Sequence, residues 1–334
     1  MTEKMEGRFR RGCLPQVNST VLITGAAGFI GSNLCDRFIC EGFRVIGIDN
    51  LITGRLENIE QIRSRNEFVF LSEDVTKPFV VDEKVDFILH FASPASPKDY
   101  FRFPIETIIV NSVGTWNMLE MAKKHNARFI LASTSEVYGN PAVHPQKETY
   151  WGYVNPVGLR SVYDEGKRYA EALAIAYLRS YSLDVRVVRI FNTYGPRMRL
   201  DDGRAIPNFI SAALRGDKIV IYGTGLQTRS FCFIDDIVEG IVRMTKSDKI
   251  KGEIINLGNP NEMSIADLVK LIISITGSKS PILNGETQVD DPERRCPDIS
   301  KAERLLGWKP AISIEEGLKR TIQYFAELIN IEGG

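Results

Sequence analysis

The chain has 334 residues, 43% hydrophobic and 25% charged, the makeup of an ordinary globular protein with room for one large domain or two unequal ones. Forty-two basic residues balance forty-two acidic ones, so no long-range field favours nucleic acid, and an anionic ligand has to be held by local arginines and backbone N–H groups. No stretch is apolar for long enough to span a membrane, and residues 1–18 lack a signal-peptide run and are expected to form a disordered tail, which together predict a cytoplasmic protein. The five cysteines (Cys13, Cys35, Cys40, Cys232 and Cys296) show no paired spacing and the three histidines are scattered, so neither a disulfide framework nor a metal site is expected. Cys35 and Cys40 fall in an apolar helical stretch and read as buried structural thiols.

The first predicted strand, Thr20–Thr24, runs directly into Gly25-Ala26-Ala27-Gly28-Phe29-Ile30-Gly31, which opens a helix over residues 29–41. At this junction Gly25 makes a tight turn and Gly28 lets the backbone approach a pyrophosphate. Gly31 allows the helix to pack on the strand, and the helix N-terminus offers its N–H groups to the phosphates. The second strand, residues 44–49, ends on Asp49, followed by Asn50. A carboxylate there accepts from the adenosine ribose and repels a 2′-phosphate, favouring NAD over NADP. After the third strand, 68–71, Asp74 either accepts from the adenine edge or caps a helix.

Strands follow at 85–90, 128–133 and 185–191, separated by helical periods at 105–125 and 163–181. The alternation predicts an α/β fold, a doubly wound parallel sheet (Rossmann type) with helices on both faces. Past Asn192 the rhythm breaks at Pro196, Gly203, Pro207, Gly216, Gly223 and Gly225, which reads as a loop-rich lid. Helical patterns return at 236–246, 265–276 and 314–328. A dinucleotide-binding domain over 19–195, with 231–258 returning to it, is therefore expected beside a smaller C-terminal α/β substrate domain of 196–230 and 259–330.

On the helix over 163–181, Tyr163 and Lys167 are spaced i, i+4 and share a face, so the ammonium favours the phenolate and lowers the tyrosine pKa. Upstream, Ser133-Thr134-Ser135-Glu136 closes a strand. Together with the Gly-x-x-Gly-x-x-Gly spacing, this pair resembles the short-chain dehydrogenase/reductase superfamily.

From about residue 19 to 325 the chain resembles the extended, nucleotide-sugar branch of that superfamily, and most closely its UDP-glucuronate decarboxylases. The resemblance runs through 90–97, His144-Pro145-Gln146, Tyr150-Trp151-Gly152, Asn155-Pro156, Arg160-Ser161 and 163–168. It continues through 191–198, Gln227-Thr228-Arg229-Ser230-Phe231 and Asp290-Asp291-Pro292. Related 4,6-dehydratases read Thr-Asp-Glu where this chain has Thr134-Ser135-Glu136, the Asp serving as acid for the departing hydroxyl. Ser135 removes that acid, while galactose-type 4-epimerases lack the Glu.

The resemblance implies NAD as cofactor, held by Gly25, Gly28, Phe29, Ile30, Gly31, Asp49, Asn50, Asp74, Val75, Phe91, Ala92, Ser93, Tyr163 and Lys167. It makes Tyr163 the base for the sugar 4-hydroxyl and Lys167 a partner of the nicotinamide ribose. Thr134 would bond the reacting oxygen, Ser135 the substrate carboxylate, and Glu136 with Arg295 would support decarboxylation and reprotonation at C5. Arg294, next door, and Cys296, where relatives carry another polar residue, weaken the Arg295 assignment. Asn192 and Arg229 would hold the diphosphate, Arg204 would assist near the phosphates of either ligand, and Tyr100 and Asn111 fall on substrate or cofactor positions. Tyr222 either packs near uracil or belongs to the core, and Lys98 reads as a solvated charge. The implied partner is a UDP-sugar, and the implied assembly a homodimer through a four-helix bundle built on 105–125 and 163–181. Ile108, Ile109, Trp116 and Met118 could supply its apolar contacts. A 4-epimerase acting on UDP-glucuronate or UDP-glucose is the alternative, ahead of a dTDP-glucose 4,6-dehydratase or a non-catalytic NAD-binding protein.

Overall fold

A computed structural model describes residues 19–285 and 294–332. The expected tail and Asp290-Asp291-Pro292 lie outside the described residues. Strands β1 (Thr20–Thr24), β2 (Arg44–Ile48), β3 (Phe68–Leu71), β4 (Phe87–His90), β5 (Arg128–Thr134) and β6 (Val185–Ile190) pair with the later strand Ile254–Leu257 in one seven-stranded sheet. Every pairing is parallel, and across the sheet the order is Ile254–Leu257, β6, β5, β4, β1, β2, β3. The order reverses between β1 and β4, which opens a crevice beyond the carboxyl ends of those two strands.

Alternate residues of β1 supply the two cores. Val21 and Ile23 pack with Leu34 and Phe38 of α1 (Phe29–Cys40) and with residues of the later helix Ile234–Lys246. Leu22 points the other way, into a cluster with Met118, Leu119, Ala170 and Ala174. Those four belong to the helices that cover the second face, α4 (Thr115–His125) and α5 (Ser161–Tyr181). Met118 is therefore a core residue of the single chain, whereas Ile108, Ile109 and Trp116 remain exposed. Cys35 is buried as expected. Cys40 is exposed, because it falls at the last position of α1, past the face that meets the sheet.

The single helix predicted over 105–125 is a composite. Helix α2 (Pro97–Arg102) leads into α3 (Pro104–Ile109), then a π-helical turn at Val110–Gly114, then α4. Beyond β6, the stretch read as loop contains helix α6 (Ala205–Arg215). Pro207 does not break it, because a proline in the first helical turn gives up an N–H that has no intrahelical acceptor.

The remaining elements are α7 (Ile234–Lys246), α8 (Ile265–Thr276), α9 (Ser300–Leu306), α10 (Ile314–Glu332) and short strands that form three small sheets. One of these, Glu262–Ser264, Thr228–Ser230 and Arg294–Arg295, aligns Arg295 with Arg229 in parallel register. Two residues 66 positions apart in sequence are thereby set side by side at the crevice.

Candidate active site

The crevice is a cavity of about 750 Å³ that runs from the turn after β1 to the small sheet carrying Arg229 and Arg295. Backbone geometry at its head needs glycine. Gly25 has φ +72°, and a Cβ there would lie 2.9 Å from the backbone of Phe91. A Cβ on Gly31 would lie 2.0 Å from the Gly25 carbonyl oxygen, so any side chain would push α1 off the strand. No side chain caps α1, and no acidic residue stands in its first turn, so its leading N–H groups are available to an anion.

At the end of β2, Asp49 is buried and fixed by two backbone donors, Ala27 N at 3.0 Å and Leu51 N at 2.8 Å. Thr24 Oγ1 accepts from Phe91 N and Ala92 N, both at 3.1 Å, and sits 2.8 Å from His90 Nδ1. Burial, reinforced by the Lys167 charge, pushes His90 down to about 3, so the imidazole bridges Thr24 and Thr115 as a neutral ring. Asp74 accepts from Thr76 N and Thr76 Oγ1 and closes a turn, not a helix. The uncapped helix, the fixed carboxylate and the glycine turn fit a dinucleotide.

Tyr163 lies deep in the cavity, stacked on Tyr100 with ring centroids 5.2 Å apart and planes 9° from parallel. The Tyr100 hydroxyl is buried with no hydrogen-bond partner among the described residues. Lys167 is buried one helical turn further on, and its ammonium donates to the Ala132 carbonyl at 2.9 Å.

The expectation that Lys167 makes Tyr163 basic needs correction for the protein alone. Burial is the larger influence and pushes the Tyr163 phenol up to about 12, against the opposing hydrogen bond from Thr134 and the charge of Arg204. Burial likewise brings Lys167 down to about 7, with Glu171 resisting. A further positive charge beside the phenol is needed to make it a base near neutrality.

Glu136 lies at the start of the 3₁₀ turn Ser135–Tyr138, where the Thr134 hydroxyl accepts from its backbone N–H at 3.2 Å. Its carboxylate is clamped by Arg295 on one oxygen and by Arg160 at 2.7 Å on the other. Burial would favour the acid form. The two guanidinium groups outweigh it and hold Glu136 down at about 2. Arg295 is itself buried, and its Nε has no acceptor among the described residues.

Arg160, whose part the sequence does not reveal, is the second cation of that clamp. Asp164 is buried behind Glu136, and burial followed by the Glu136 charge pushes its carboxyl up to about 7.

All but one of the expected catalytic, cofactor and substrate residues line this cavity, including Ser135, Asn192, Arg204, Tyr222 and Arg229. The exception is Asn111. It stands in the π-helical turn, buried, and its amide donates to Ser93 Oγ at 3.0 Å and to the Thr107 carbonyl at 2.8 Å. It therefore positions Ser93 from behind. Arg204 forms a two-pronged pair with Asp202, and its charge bears on Tyr163. Tyr222 is 46% exposed and is not a core aromatic. Lys98, expected to be solvated, pairs with Asp201 at 2.6 Å while staying exposed.

A glycine turn opening onto an uncapped helix, a buried carboxylate at the end of the next strand and a buried Tyr-x-x-x-Lys pair on one crevice are the pattern of a short-chain dehydrogenase/reductase of the extended type. The family described as GDP-mannose 4,6 dehydratase matches residues 22–321. UDP-glucuronic acid decarboxylase 1 of Xenopus tropicalis is 49% identical over 305 residues, covering 91% of this chain and 72% of that protein. UDP-glucuronic acid decarboxylase 1 of Arabidopsis thaliana is 48% identical over 309 residues, covering 92% and 70%. Among solved structures, the UDP-glucuronic acid 4-epimerase of Bacillus cereus, in complex with UDP-glucuronic acid and NAD, superposes with a TM-score of 0.84 at 30% identity. That match covers 92% of this chain and 99% of the epimerase. The chain belongs to the GDP-mannose 4,6 dehydratase family and, within it, to the UDP-glucuronic acid decarboxylase group.

Proposed function

We propose that the protein converts UDP-glucuronate to UDP-xylose and CO₂ with NAD as a permanently recycled cofactor. The observation that carries this reading is the clamp of Arg160 and Arg295 on Glu136 beside Tyr163, with Ser135 where a dehydratase needs its acid. NAD, when bound, supplies a reversible hydride acceptor for C4 and the positive charge that the buried phenol lacks.

Tyr163 takes the proton of the 4-hydroxyl, with the Thr134 hydroxyl oriented to the same oxygen. With C4 oxidised to a ketone, the C6 carboxylate is β to a carbonyl, and loss of CO₂ leaves an enolate. Arg295, with its unpartnered Nε, and Arg160 receive the substrate carboxylate. The substrate then competes with Glu136 for the same cations. As their hold on Glu136 loosens, its pKa climbs from about 2, so that it can take up a proton from solvent and deliver it to C5. Tyr163 finally returns its proton to the C4 oxygen as C4 is reduced. Asn192, Arg204 and Arg229 hold the diphosphate.

Incubation of the purified protein with UDP-glucuronate, followed by mass spectrometry, tests the reading. The expected products are CO₂ and a UDP-pentose; a C4-inverted UDP-uronate without CO₂ would mean a 4-epimerase.

The homodimer belongs to the same proposal. Exposed Ile105, Ile108, Ile109 and Trp116 on α3 and α4 lie beside α5, a face that supports pairing with a second copy. No helix among the described residues is long and apolar enough to cross a membrane. The four described cysteines are unpaired, which supports a reducing compartment, and we place the protein in the cytosol.

A further inference from the structure

Outside the catalytic cluster, three side chains with metal-binding chemistry converge from distant parts of the chain. His144 comes from the segment after β5, Glu262 from the strand Glu262–Ser264, and Cys296 from the residue after Arg295. Their ligand atoms all lie within 4.8 Å of one another. His144 Nε2 is 2.9 Å from Glu262 Oε2, and the Thr228 hydroxyl donates to the other Glu262 oxygen at 2.6 Å. Backbone bonds hold the segments in place: Cys296 N donates to Gln146 Oε1 and Gln146 N to the Cys296 carbonyl, both at 2.8 Å.

The site already receives a positive charge. Arg294 Nη2 donates to Glu262 Oε2 at 3.2 Å and stands 2.9 Å from His144 Nε2, so a cationic group already sits against both side chains. The Arg294 side chain is 58% exposed and can leave for water when a stronger cation arrives.

We propose that His144, Glu262 and Cys296 bind one divalent transition-metal ion of the zinc class, with water in a fourth position. Imidazole, carboxylate and thiolate together are the ligand set of such ions, and hard cations would not choose the sulfur. Ligand atoms about 2.0–2.3 Å from a tetrahedral ion stand roughly 3.5 Å apart. To reach that spacing the His144–Glu262 pair, now 2.9 Å apart, has to open slightly while both side chains turn toward the Cys296 sulfur, which lies within 4.8 Å. The ion would tie the Cys296 segment, and with it Arg295, to two segments remote in sequence. Spacing in the sequence hides this site because its ligands are more than thirty residues apart at the nearest, unlike the short-range pairs of known zinc motifs.

Cobalt(II), titrated alone into the full-length protein, supplies the test. One ion per chain is expected, with a sulfur-to-cobalt charge-transfer band in the near ultraviolet that stoichiometric zinc removes. Cys296→Ser should abolish the band, and His144→Ala should weaken cobalt binding at least about tenfold, the loss of one ligand bond. Arg294→Ala should tighten it, while Cys40→Ser should leave it unchanged. His144 is exposed, so its variant stays informative if Cys296→Ser folds poorly. Absence of the band, its survival in Cys296→Ser, its loss in Cys40→Ser, or cobalt binding indifferent to His144→Ala would overturn the proposal.

Discussion

Burial at Glu136 favours the neutral acid, and the two guanidinium groups of Arg160 and Arg295 favour the anion by more. Replacing the carboxylate by its amide keeps the shape and removes both the anion and the proton. Glu136→Gln is expected to cut CO₂ release by roughly 10²-fold or more, the usual worth of a positioned acid–base group. NADH formation in a single turnover should change only a few-fold. Stopped-flow absorbance alongside trapped CO₂ separates the two steps, and an equal loss in both would contradict the assignment. Tyr163→Phe should do the reverse and stop NADH formation while UDP-sugar binding stays nearly intact. Asp164 gives a pH signature. Its carboxyl rises from an ordinary value of 3.8 to about 7 in the folded chain, so between these values the folded state binds the proton more tightly. The stability this confers is present below about pH 4 and is lost as pH rises through 7. Asp164→Asn does not titrate, so its melting temperature should gain on that of the wild type across this window and level off above it. The gain should amount to several °C. A difference that stays flat with pH would show that burial does not strain this carboxylate.

At the level of elements, the sheet was readable because its strands are short apolar runs, most of them buried on both faces, and boundaries such as Thr20–Thr24 and Phe68–Leu71 coincide with expectation. The glycine turn was equally plain, since steric need at Gly25 and Gly31 is local. Two features escaped. Helix α6 was hidden by Pro207 and its flanking glycines, which mimic a loop when their place in the first turn is unknown. The π-helical turn at Val110–Gly114 shifts the helical register by one residue, which no periodicity count over 105–125 reveals. That shift keeps Asn111 inward on Ser93 and leaves Trp116 outward, 52% exposed. If α3, α4 and α5 form the proposed dimer face, Trp116→Glu should place a charge in an apolar contact and convert the dimer to monomer. Light scattering after size exclusion would show it, and a variant that stays dimeric would move the interface elsewhere. Met118→Glu should instead unfold the chain, because that side chain is part of the core.

Over the whole molecule, the residues least legible in sequence are those whose partners lie a hundred or more positions away, as those of Arg295 and Arg199 do. Chain order says nothing about which carboxylate such an arginine will meet. The segment 197–204 between β6 and α6 lines the cavity and pairs with α2. Arg199 pairs with Asp99 at 2.7 Å, Lys98 with Asp201 at 2.6 Å, and Arg204 with Asp202 beside Tyr163. The Lys98 pair is exposed and contributes little. The Arg199 pair is more enclosed, and Asp99 is already set by the Ser96 hydroxyl at 2.8 Å. Arg199→Met keeps the length of the side chain and deletes the charge. It should release this segment and with it the placement of Arg204 proposed to hold the diphosphate of the UDP-sugar. A charged hydrogen bond of about 1.5–3 kcal/mol predicts a rise in KM for UDP-glucuronate of roughly tenfold or more. The proposed dinucleotide site at Gly25, Gly28 and Asp49 makes none of these contacts, so NAD affinity measured by calorimetry should hold. Loss of NAD binding in Arg199→Met, or an unchanged KM, would mean that the segment does not organise the sugar side of the crevice.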